Sequence, residues 1–280
     1  MADDRDGEGS AEGDRLAAFD TGVAHSSRVY NYWLGGKDNF AADRAAAELA
    51  IEAFPQIVVS ARANRAFLGR AVRFLAGEAG IRQFLDIGTG IPAASNTHEV
   101  AQAIAPESRV LYVDNDPIVL AHARALLASN PAGATDYIDA DLRDPRTILE
   151  AAAGLLDFSE PVAVMLLAIL HFIGDDDKPH EIVAELMSAL APGSYLAITH
   201  GTADITFVGE DVSNATIDGL NQAMVENITV RDRATVARFF DGLELVEPGL
   251  VPVSAWREAS AAEAGQPVVL WAGVGRKPPG

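Results

Sequence analysis

The stretch Phe84-Leu85-Asp86-Ile87-Gly88-Thr89-Gly90 decides how this chain folds. A short apolar run, typical of a buried strand, ends in a carboxylate and leads into a turn with two glycines, and a helix-like segment, 93–104, follows. Glycine allows the backbone to turn sharply and to approach a ligand without a Cβ atom in the way. A strand, a glycine turn and a helix start together form the cradle that holds many nucleotide-type cofactors. The sequence therefore predicts a cofactor site at this turn.

The spacing of the glycines fits two classes of cofactor. Residues 88–93 read G-T-G-I-P-A and match the dinucleotide pattern G-x-G-x-x-A. Residues 86–90 read D-I-G-T-G and equally match D-x-G-x-G, the first motif of S-adenosylmethionine (SAM) methyltransferases. The spacing alone leaves both classes open, and a purely structural turn is a third interpretation.

Carboxylates after the next two predicted strands favour SAM. Asp114 follows the apolar run 110–113, and Asp141 comes shortly after the run 135–138. A carboxylate can accept hydrogen bonds from both hydroxyls of a ribose, and its charge suits the sulfonium and ammonium groups of SAM. A pyrophosphate would be repelled by these carboxylates and would prefer bare amides at a helix N-terminus. The alternative interpretation is that Asp114 and Asp141 only cap the segments that follow them.

These motifs and several others make the sequence resemble a known family. It is similar to class I SAM-dependent methyltransferases and, more closely, to an actinobacterial S-adenosyl methyltransferase family formerly described as a domain of unknown function. The resemblance spans about residues 25–275 and rests on the segments 28–40 (RVYNYWLGGKDNF), 86–92 (DIGTGIP), 96–101 (NTHEVA), 112–117 (YVDNDP), 141–145 (DLRDP) and 170–172 (LHF). The part 32–40 is the most specific. One departure is Pro92, where many methyltransferases have a third glycine, and we interpret it as a stiffened loop.

The resemblance implies a fold, a cofactor and a set of contacts. The expected fold is α/β and Rossmann-like, a mostly parallel seven-stranded sheet with helices on both faces and an N-terminal helical lid. The cofactor is S-adenosyl-L-methionine. In such enzymes an aspartate in the position of Asp141 takes the adenine amino group, and its apolar neighbour, here Leu142, covers the ring. The residues expected to bind the cofactor are Asp86, Gly88, Thr89, Gly90, Asp114, Asn115, Asp141, Leu142 and Ala168.

The apolar pattern from residue 82 onward predicts the same architecture. Strand-like runs alternate with helical stretches, as in a parallel sheet with right-handed crossovers. Strands are predicted near 82–87, 109–113, 135–138, 161–167 and 194–200, and the helices between them near 93–104, 117–128, 145–153 and 178–190. Farther on, we expect helices near 217–227 and 233–240 and a terminal hairpin of strands near 243–254 and 267–274.

Three regions are expected along the chain. Residues 1–20 are rich in acidic residues and glycine, and such a tail buries too little apolar surface to become ordered. Residues 21–80 carry helical segments near 26–34, 38–54 and 56–79 and form a helical lid or cap. Residues 81–280 form the SAM-binding domain.

The segment 30–40 is expected to form the lid itself. Each of its paired glycines, at 35 and 36, would weaken a helix by about 1 kcal/mol. We interpret the pair as a hinge or as backbone that approaches a ligand. The residues expected on the lid or the substrate side are Tyr30, Tyr32, Lys37 and Asp38. Tyr32 would offer an aromatic wall and Lys37 a contact to an anionic group such as the SAM carboxylate; a hairpin that only covers the sheet edge is the alternative.

The sequence leaves the catalytic residue unassigned. His171 follows the fourth strand and His200 ends the fifth, so both are candidates for a base or a substrate contact. The alternatives are packing beside Phe172 for His171 and a turn position for His200. No metal site is expected, because the remaining histidines are scattered or lie at the start of a predicted helix. Methyl transfer needs alignment more than covalent help, so a missing base does not argue against catalysis.

Composition narrows the function classes. The chain of 280 residues has no cysteine, which excludes disulfides and thiolate catalysis. A net charge of −19 argues against a nucleic-acid partner, and no apolar run approaches the length of a membrane span. The acidic N-terminus is unlike a signal peptide, so we expect a cytoplasmic protein, monomeric or homodimeric.

These features together predict a SAM-dependent methyltransferase that acts on a small molecule, as in specialised metabolism. Residues 167–171 read L-A-I-L-H, so the Asn/Asp-Pro-Pro-Tyr signature of enzymes that methylate DNA bases or glutamine amides is missing. Two alternatives stay open. One is a SAM-binding regulatory protein without catalysis, and the other is an NAD(P)-dependent oxidoreductase, which fits the glycine spacing but not the later acids.

Overall fold

A mixed sheet organises the chain. The structure is a computed structural model, and it describes residues 21–126, 130–202, 204, 218–219, 221–222, 226–258 and 265–279. The five parallel strands are β1 (Gln83–Ile87), β2 (Arg109–Asp114), β3 (Ala134–Asp139), β4 (Ala163–Leu167) and β5 (Tyr195–Gly201). The last strand, β8 (Leu270–Arg276), is antiparallel to β5, with Gly201 opposite Leu270.

Two short strands complete the sheet. β6 (Glu244–Leu245) and β7 (Val251–Pro252) both pair with β8, and the strand order is β3-β2-β1-β4-β5-β8-β6. Among the described residues the predicted seven-stranded sheet has eight strands, because the expected sixth strand forms two separate pieces. The Rossmann-like fold class and the antiparallel terminal strand are confirmed.

Helices cover the sheet and its carboxyl edge. They are α1 (Ser26–Trp33), α2 (Ala41–Ala53), α3 (Ile57–Arg73), α4 (Thr97–Ile104), α5 (Pro117–Leu126), α6 (Pro145–Ala152), α7 (Pro179–Ser188) and α8 (Arg233–Ala237). A π-helical turn, Phe74–Glu78, extends α3, and single 3₁₀ turns lie at Leu170–Phe172, Asp175–Asp177 and Arg238–Phe240.

Two helix starts differ from the prediction. The helix expected over 93–104 begins at Thr97, because Asn96 and Glu99 form a capping box in which the Glu99 carboxylate accepts from the Asn96 amide at 2.8 Å. The helix expected over 38–54 begins at Ala41, because residues 35–40 form a loop. Residues 217, 220 and 223–225 of the expected helix at 217–227 and the whole of the tail 1–20 lie outside the described residues.

The sheet is buried on both faces. All residues of β1 and β4 are buried, as expected for parallel strands between two helical layers. On one face Leu85 packs in a cluster with Ile148 of α6 and Leu186 of α7. On the other face Phe84 packs in a cluster with Phe67 of α3. Helix α3 therefore belongs to the core of the sheet, while the division of the chain at residue 80 stays a prediction.

A buried ion pair fixes α1 against α2. The Arg28 guanidinium donates through Nε to both oxygens of Asp43, at 3.0 and 2.9 Å, and these side chains are 2% and 0% exposed. Asp43 also accepts from the Phe40 amide at 2.7 Å, which caps α2. Breaking such a pair leaves an uncompensated charge in the interior. The pair therefore fixes the position of α1 against α2.

Candidate active site

A cavity of about 230 Å³ opens at the carboxyl edge of the parallel strands. Ligands in open α/β sheets bind at this edge. All the residues predicted to bind the cofactor line it: Asp86, Gly88, Thr89, Gly90, Asp114, Asn115, Asp141, Leu142 and Ala168. The fold thus gathers them at one place, and the contacts that each makes to a cofactor stay predictions.

The two glycines of the cradle serve different needs. Both have positive φ, +72° at Gly88 and +65° at Gly90, a region that favours glycine. A Cβ atom on Gly88 would lie 2.5 Å from Cγ1 of Ile169, so that glycine is required by packing within the protein. A Cβ atom on Gly90 would meet nothing within 4 Å. Gly90 therefore faces open cavity, as a ligand-binding glycine should.

Asp114 is buried and held by the backbone. Its Oδ2 accepts from the Gly90 amide at 2.9 Å and its Oδ1 accepts from the Asp116 amide at 3.0 Å. Burial raises the pKa of Asp114 to about 6, although these two hydrogen bonds favour the ionised form. A carboxylate has about four acceptor sites, so both oxygens keep capacity for a ligand's hydroxyls.

Asp86 links the first strand to the helix after the cradle. Its Oδ2 accepts from the Thr97 hydroxyl at 2.6 Å, and the residue is 5% exposed. Burial raises the pKa of Asp86 to about 6, opposed by the Thr97 hydrogen bond and by the charge of Arg65. Asp86 therefore supports the cradle as well as adding negative potential beneath it.

Asp141 stands in a more exposed network. Its carboxylate accepts from the Arg143 amide at 2.8 Å and from Nη1 of Arg143 at 3.1 and 3.2 Å. Asn115 donates its Nδ2 to the same carboxylate at 3.2 Å. Arg143 in turn donates to Asp177 at 2.9 Å, which ties the end of β3 to the loop after β4.

Arg65 is a functional candidate that the sequence analysis did not include. It lines the cavity and donates through Nη2 to the Ala93 carbonyl at 3.2 Å and to Oδ1 of Asn96 at 2.7 Å. Its Nη1 has no hydrogen-bond partner among the described residues. The available signal was the helical period of α3, which sets Arg65 one turn from Ala61 and Leu68 on the cavity face.

The paired glycines of the segment 30–40 end helix α1. Gly36 donates to the Asn31 carbonyl and Gly35 to the Tyr32 carbonyl, each at 2.9 Å, and φ of Gly35 is +83°. This is a Schellman helix end. A Cβ atom on Gly36 would lie 2.3 Å from Nδ2 of Asn31. Neither glycine belongs to the described lining of the cavity, so the expected approach of this backbone to a ligand is not seen, and a hinge at this pair stays a prediction.

The aromatic wall of the cavity comes from a different face of α1 than expected. Tyr30 and Trp33 line the cavity, with their rings edge to face at 6.4 Å. Tyr32 instead bonds to the Glu48 carboxylate. Tyr32, Lys37 and Asp38 lie outside the set of described residues that lines the cavity, so Tyr30 alone keeps the place expected of it.

His25 joins three parts of the chain at the cavity wall. Its Nε2 lies 2.9 Å from Oε1 of Glu226, and its Nδ1 lies 3.2 Å from Oδ2 of Asp116 at the end of β2. Burial lowers the pKa of His25, but the hydrogen bond and charge of Glu226 and the charge of Asp116 outweigh it, and the pKa is raised. We call His25, Asp116 and Glu226 the clasp.

His200 cannot serve as a base in the cavity. It is 0% exposed and absent from the lining in the part of the chain that the structure describes. Its Nδ1 donates to the Gly201 carbonyl at 2.7 Å, and its Nε2 accepts from Nη1 of Arg231 at 2.9 Å. Both ring nitrogens are used within the protein, so the structure does not bring this candidate to the cavity.

His171 does line the cavity. The Gly201 amide donates to its Nδ1 at 3.3 Å, and its backbone carbonyl accepts from the Thr229 amide at 2.7 Å. Burial, together with His200 and the charge of Arg231, lowers the pKa of His171 to about 3. The ring is therefore neutral at physiological pH.

A glycine cradle with acids after successive strands, on a sheet of this order, defines a class I methyltransferase fold. The model of the S-adenosyl methyltransferase family matches residues 12–278. The chain belongs to that family, and its cofactor is SAM. The resemblance found in the sequence is confirmed.

Two solved structures of actinobacterial proteins are similar over nearly the whole chain. A DUF574 family protein of Streptomyces avermitilis is 46% identical, with a TM-score of 0.87 over 92% of this chain and 99% of its own. A candidate methyltransferase of Thermobifida fusca is 43% identical, with a TM-score of 0.81 over 92% of this chain and 97% of its own. No protein with a curated functional description matches the sequence.

The described residues contain neither a membrane-spanning helix nor a cluster of metal-ligating side chains. None of the helices there combines the length and apolar character needed to cross a bilayer. Within the same ranges, no group of three or more histidine or acidic side chains is arranged to hold a metal ion.

Proposed function

We propose that the protein transfers the methyl group of SAM to a small molecule that binds beside the cofactor in the same cavity. One observation carries the proposal. The acids at the ends of β1, β2 and β3 share their cavity with apolar and aromatic side chains from α1, the end of α2 and the strand ends of β4 and β8, among them Trp33, Phe54 and Leu270. SAM, when bound, supplies an electrophilic methyl group on a sulfonium. The rest of the site has to hold an acceptor against it.

The acid-lined half fits SAM. A ligand-facing glycine, Gly90, lies between two buried acids, and the open space above it suits a bulky nucleoside. Asp114 would accept from the ribose hydroxyls through the acceptor sites that its backbone bonds leave. Asp141 would accept from the adenine amino group, with Leu142 over the ring. Asp86 would add the negative potential that the SAM ammonium requires.

Arg65 takes the role first proposed for Lys37. Its Nη1 has no protein partner among the described residues, and its other nitrogens are fixed by the loop 91–96. A guanidinium held in this way binds a carboxylate in defined geometry. We therefore propose Arg65 as the contact of the SAM carboxylate.

The protein contributes alignment and exclusion of water. Helix α1 places Tyr30 and Trp33 over the cavity, and Arg28 with Asp43 and the clasp hold the helix in position. Alignment of two reactants can supply on the order of 7–11 kcal/mol of the barrier reduction. We therefore propose that α1 is the lid over the cavity. Cytoplasmic location, a monomeric or homodimeric state and the absence of nucleic-acid partners stay predictions.

Turnover measurements separate the proposal from its main alternative. The protein is incubated with SAM and a panel of small aromatic metabolites, and S-adenosylhomocysteine (SAH) is quantified; Asp114→Ala is the negative control. We expect acceptor-dependent SAH formation that the variant loses. Tight SAM binding with no turnover on a broad panel would favour a SAM-binding regulatory protein instead. The oxidoreductase alternative is set aside, because the chain belongs to a methyltransferase family.

A further inference from the structure

The second half of the cavity has a composition of its own. It is built by α1, the end of α2, the start of α3 and the strand ends farthest from β3. Large apolar side chains dominate it, among them Trp33, Phe54, Ile57, Phe172 and Leu270. Such a surface favours binding of a flat apolar molecule, because apolar area on both partners is removed from water.

His171 is a polar side chain that lines the same cavity, next in sequence to the apolar Phe172. It follows Ala168 by three residues at the end of β4, and its ring lies 5.7 Å from the ring of His200 behind it. Hydrogen bonds fix the loop on both sides of it. Arg231 donates to the carbonyls of Leu170 and Ile173 at 3.0 and 2.8 Å. The position of the imidazole is therefore set by the protein before any acceptor arrives.

The hydrogen bonds of the ring decide which nitrogen carries the proton. Because the Gly201 amide donates to Nδ1, that nitrogen must present its lone pair. A neutral imidazole then holds its single proton on Nε2. Within the described residues Nε2 has no partner, while the ring lines the cavity. The cavity thus contains a fixed N–H donor, and the pKa of about 3 keeps it in that form.

We propose that His171 binds the methyl acceptor as a hydrogen-bond donor, and that the acceptor is a flat, largely apolar molecule carrying an oxygen that receives this N–H. This inference rests on the proposed function and names the acceptor class for the same site. His171 is then a substrate-binding residue that takes no proton from the nucleophile, which differs from the base expected after the fourth strand.

Wild-type protein gives a first test without any acceptor. Two-dimensional ¹H–¹⁵N spectra of the imidazole distinguish the two neutral tautomers and follow protonation with pH. We expect His171 to remain a neutral Nε2–H ring from pH 5 to 8. Titration of His171 in that range, or a proton on Nδ1, would overturn the proposal.

Binding of three probes gives the second test. 1-Methoxynaphthalene offers an accepting oxygen, 1-ethylnaphthalene has the same shape without one, and 1-naphthol adds a donor. Calorimetry is performed with SAH at saturation for the wild type, for His171→Phe, and for His122→Phe as a matched control outside the cavity. The ratio of methoxy to ethyl affinity should fall two- to tenfold in His171→Phe, as one neutral hydrogen bond predicts, and stay unchanged in His122→Phe.

The outcomes are distinguishable from failure of the proposed function. An unchanged ratio in His171→Phe, tight binding of 1-naphthol alone, or no binding of any probe would overturn the inference, even if SAH binds normally. If the wild-type protein did not bind SAH, that result would instead contradict the proposed function. Retained SAH affinity in His171→Phe shows that the variant is folded, and the spectra of the wild type test the tautomer independently of any variant.

Discussion

The two halves of the cavity are built differently. In the acid-lined half, where we propose that SAM binds and which we call the cofactor half, Asp114 is buried and accepts from the backbone amide of Gly90. In the apolar half, which we call the acceptor half, apolar side chains from separate elements line the cavity together with His171. The hydrogen bonds from the amides of Gly90 and Asp116 to Asp114 come from the main chain, whereas the shape of the acceptor half is set by its side chains. On the proposed function, the cofactor half binds a constant ligand, and substitutions in the acceptor half would change the acceptor.

Substitution of Gly90 should cause the largest loss of SAM binding. In Gly90→Val a side chain would stand in the open cavity, and its positive φ would add strain of about 1–2 kcal/mol. We expect SAM affinity to fall at least a hundredfold by calorimetry.

Gly242→Val is the matched control, because Gly242 also has a positive φ, +80°, and nothing within 4 Å of its Cβ position. Both variants should lose similar thermal stability, and only Gly90→Val should lose SAM binding. Equal SAM affinity in the two would mean that the loop is not the cradle.

Asp114→Ala should produce the next largest effect. It removes charge-assisted hydrogen bonds to the ribose, each worth roughly 1.5–3 kcal/mol. SAM affinity should fall at least tenfold while the fold survives. Asp136→Ala, an exposed residue of β3, serves as the control and should bind SAM normally. An unchanged dissociation constant in Asp114→Ala would remove this residue from the site.

SAM binding should depend on pH through the same half. Burial raises the pKa of Asp86 and Asp114 to about 6. Ionisation of these carboxyls therefore lowers the stability of the folded protein as the pH rises from about 4 through 6. The SAM cation favours the ionised form, so its affinity should increase from pH 5 to 7 and level off above. Calorimetry across this range checks the slope. Affinity that is independent of pH would show that neither carboxylate titrates near 6.

Substitution in the clasp should give the smallest effect, a local loss of stability in α1, the proposed lid of the acceptor half. The pKa of His25 is raised, so its contribution is complete below about pH 6.5 and is lost as the pH rises through the raised value. The pKa of Glu226 is lowered, so its contribution is lost only in acid. In His25→Gln we expect hydrogen exchange in α1 to quicken severalfold near pH 6, with SAM affinity changed less than twofold. Exchange equal to that of the wild type would show that the clasp does not hold α1.

The residues predicted for the cofactor half line one cavity because their positions are encoded locally. Asp86 lies near the end of β1, Asp114 ends β2 and Asp141 follows β3 closely, and parallel topology brings these strand ends to one edge. Strand positions were right to within a few residues for the same reason. The helix predicted after the cradle begins too early, because the capping box of Asn96 and Glu99 sets its start at Thr97.

The acceptor half could not be predicted from the sequence, because contacts between residues far apart in the chain form it. In α1 the helical period joins Ser26, Val29, Tyr30 and Trp33 on the cavity face, and Tyr32 points to Glu48. The exclusion of His200 depends on Arg231, which lies 31 positions away in sequence. No short motif records such pairings. The paired glycines end α1 through the carbonyls of Tyr32 and Asn31, and Gly36 also packs against the Asn31 side chain, contacts that no short motif indicates.

A crystal structure of the complex with SAH tests the central claim most directly. The account predicts the ribose hydroxyls within hydrogen-bonding distance of Asp114, the adenine beside Asp141 and Leu142, and the sulfur toward Ala168. The apolar half between Trp33 and His171 should stay free for the acceptor. SAH that lies in the apolar half, or that makes no contact with Asp114, would contradict the division of the cavity into a cofactor half and an acceptor half.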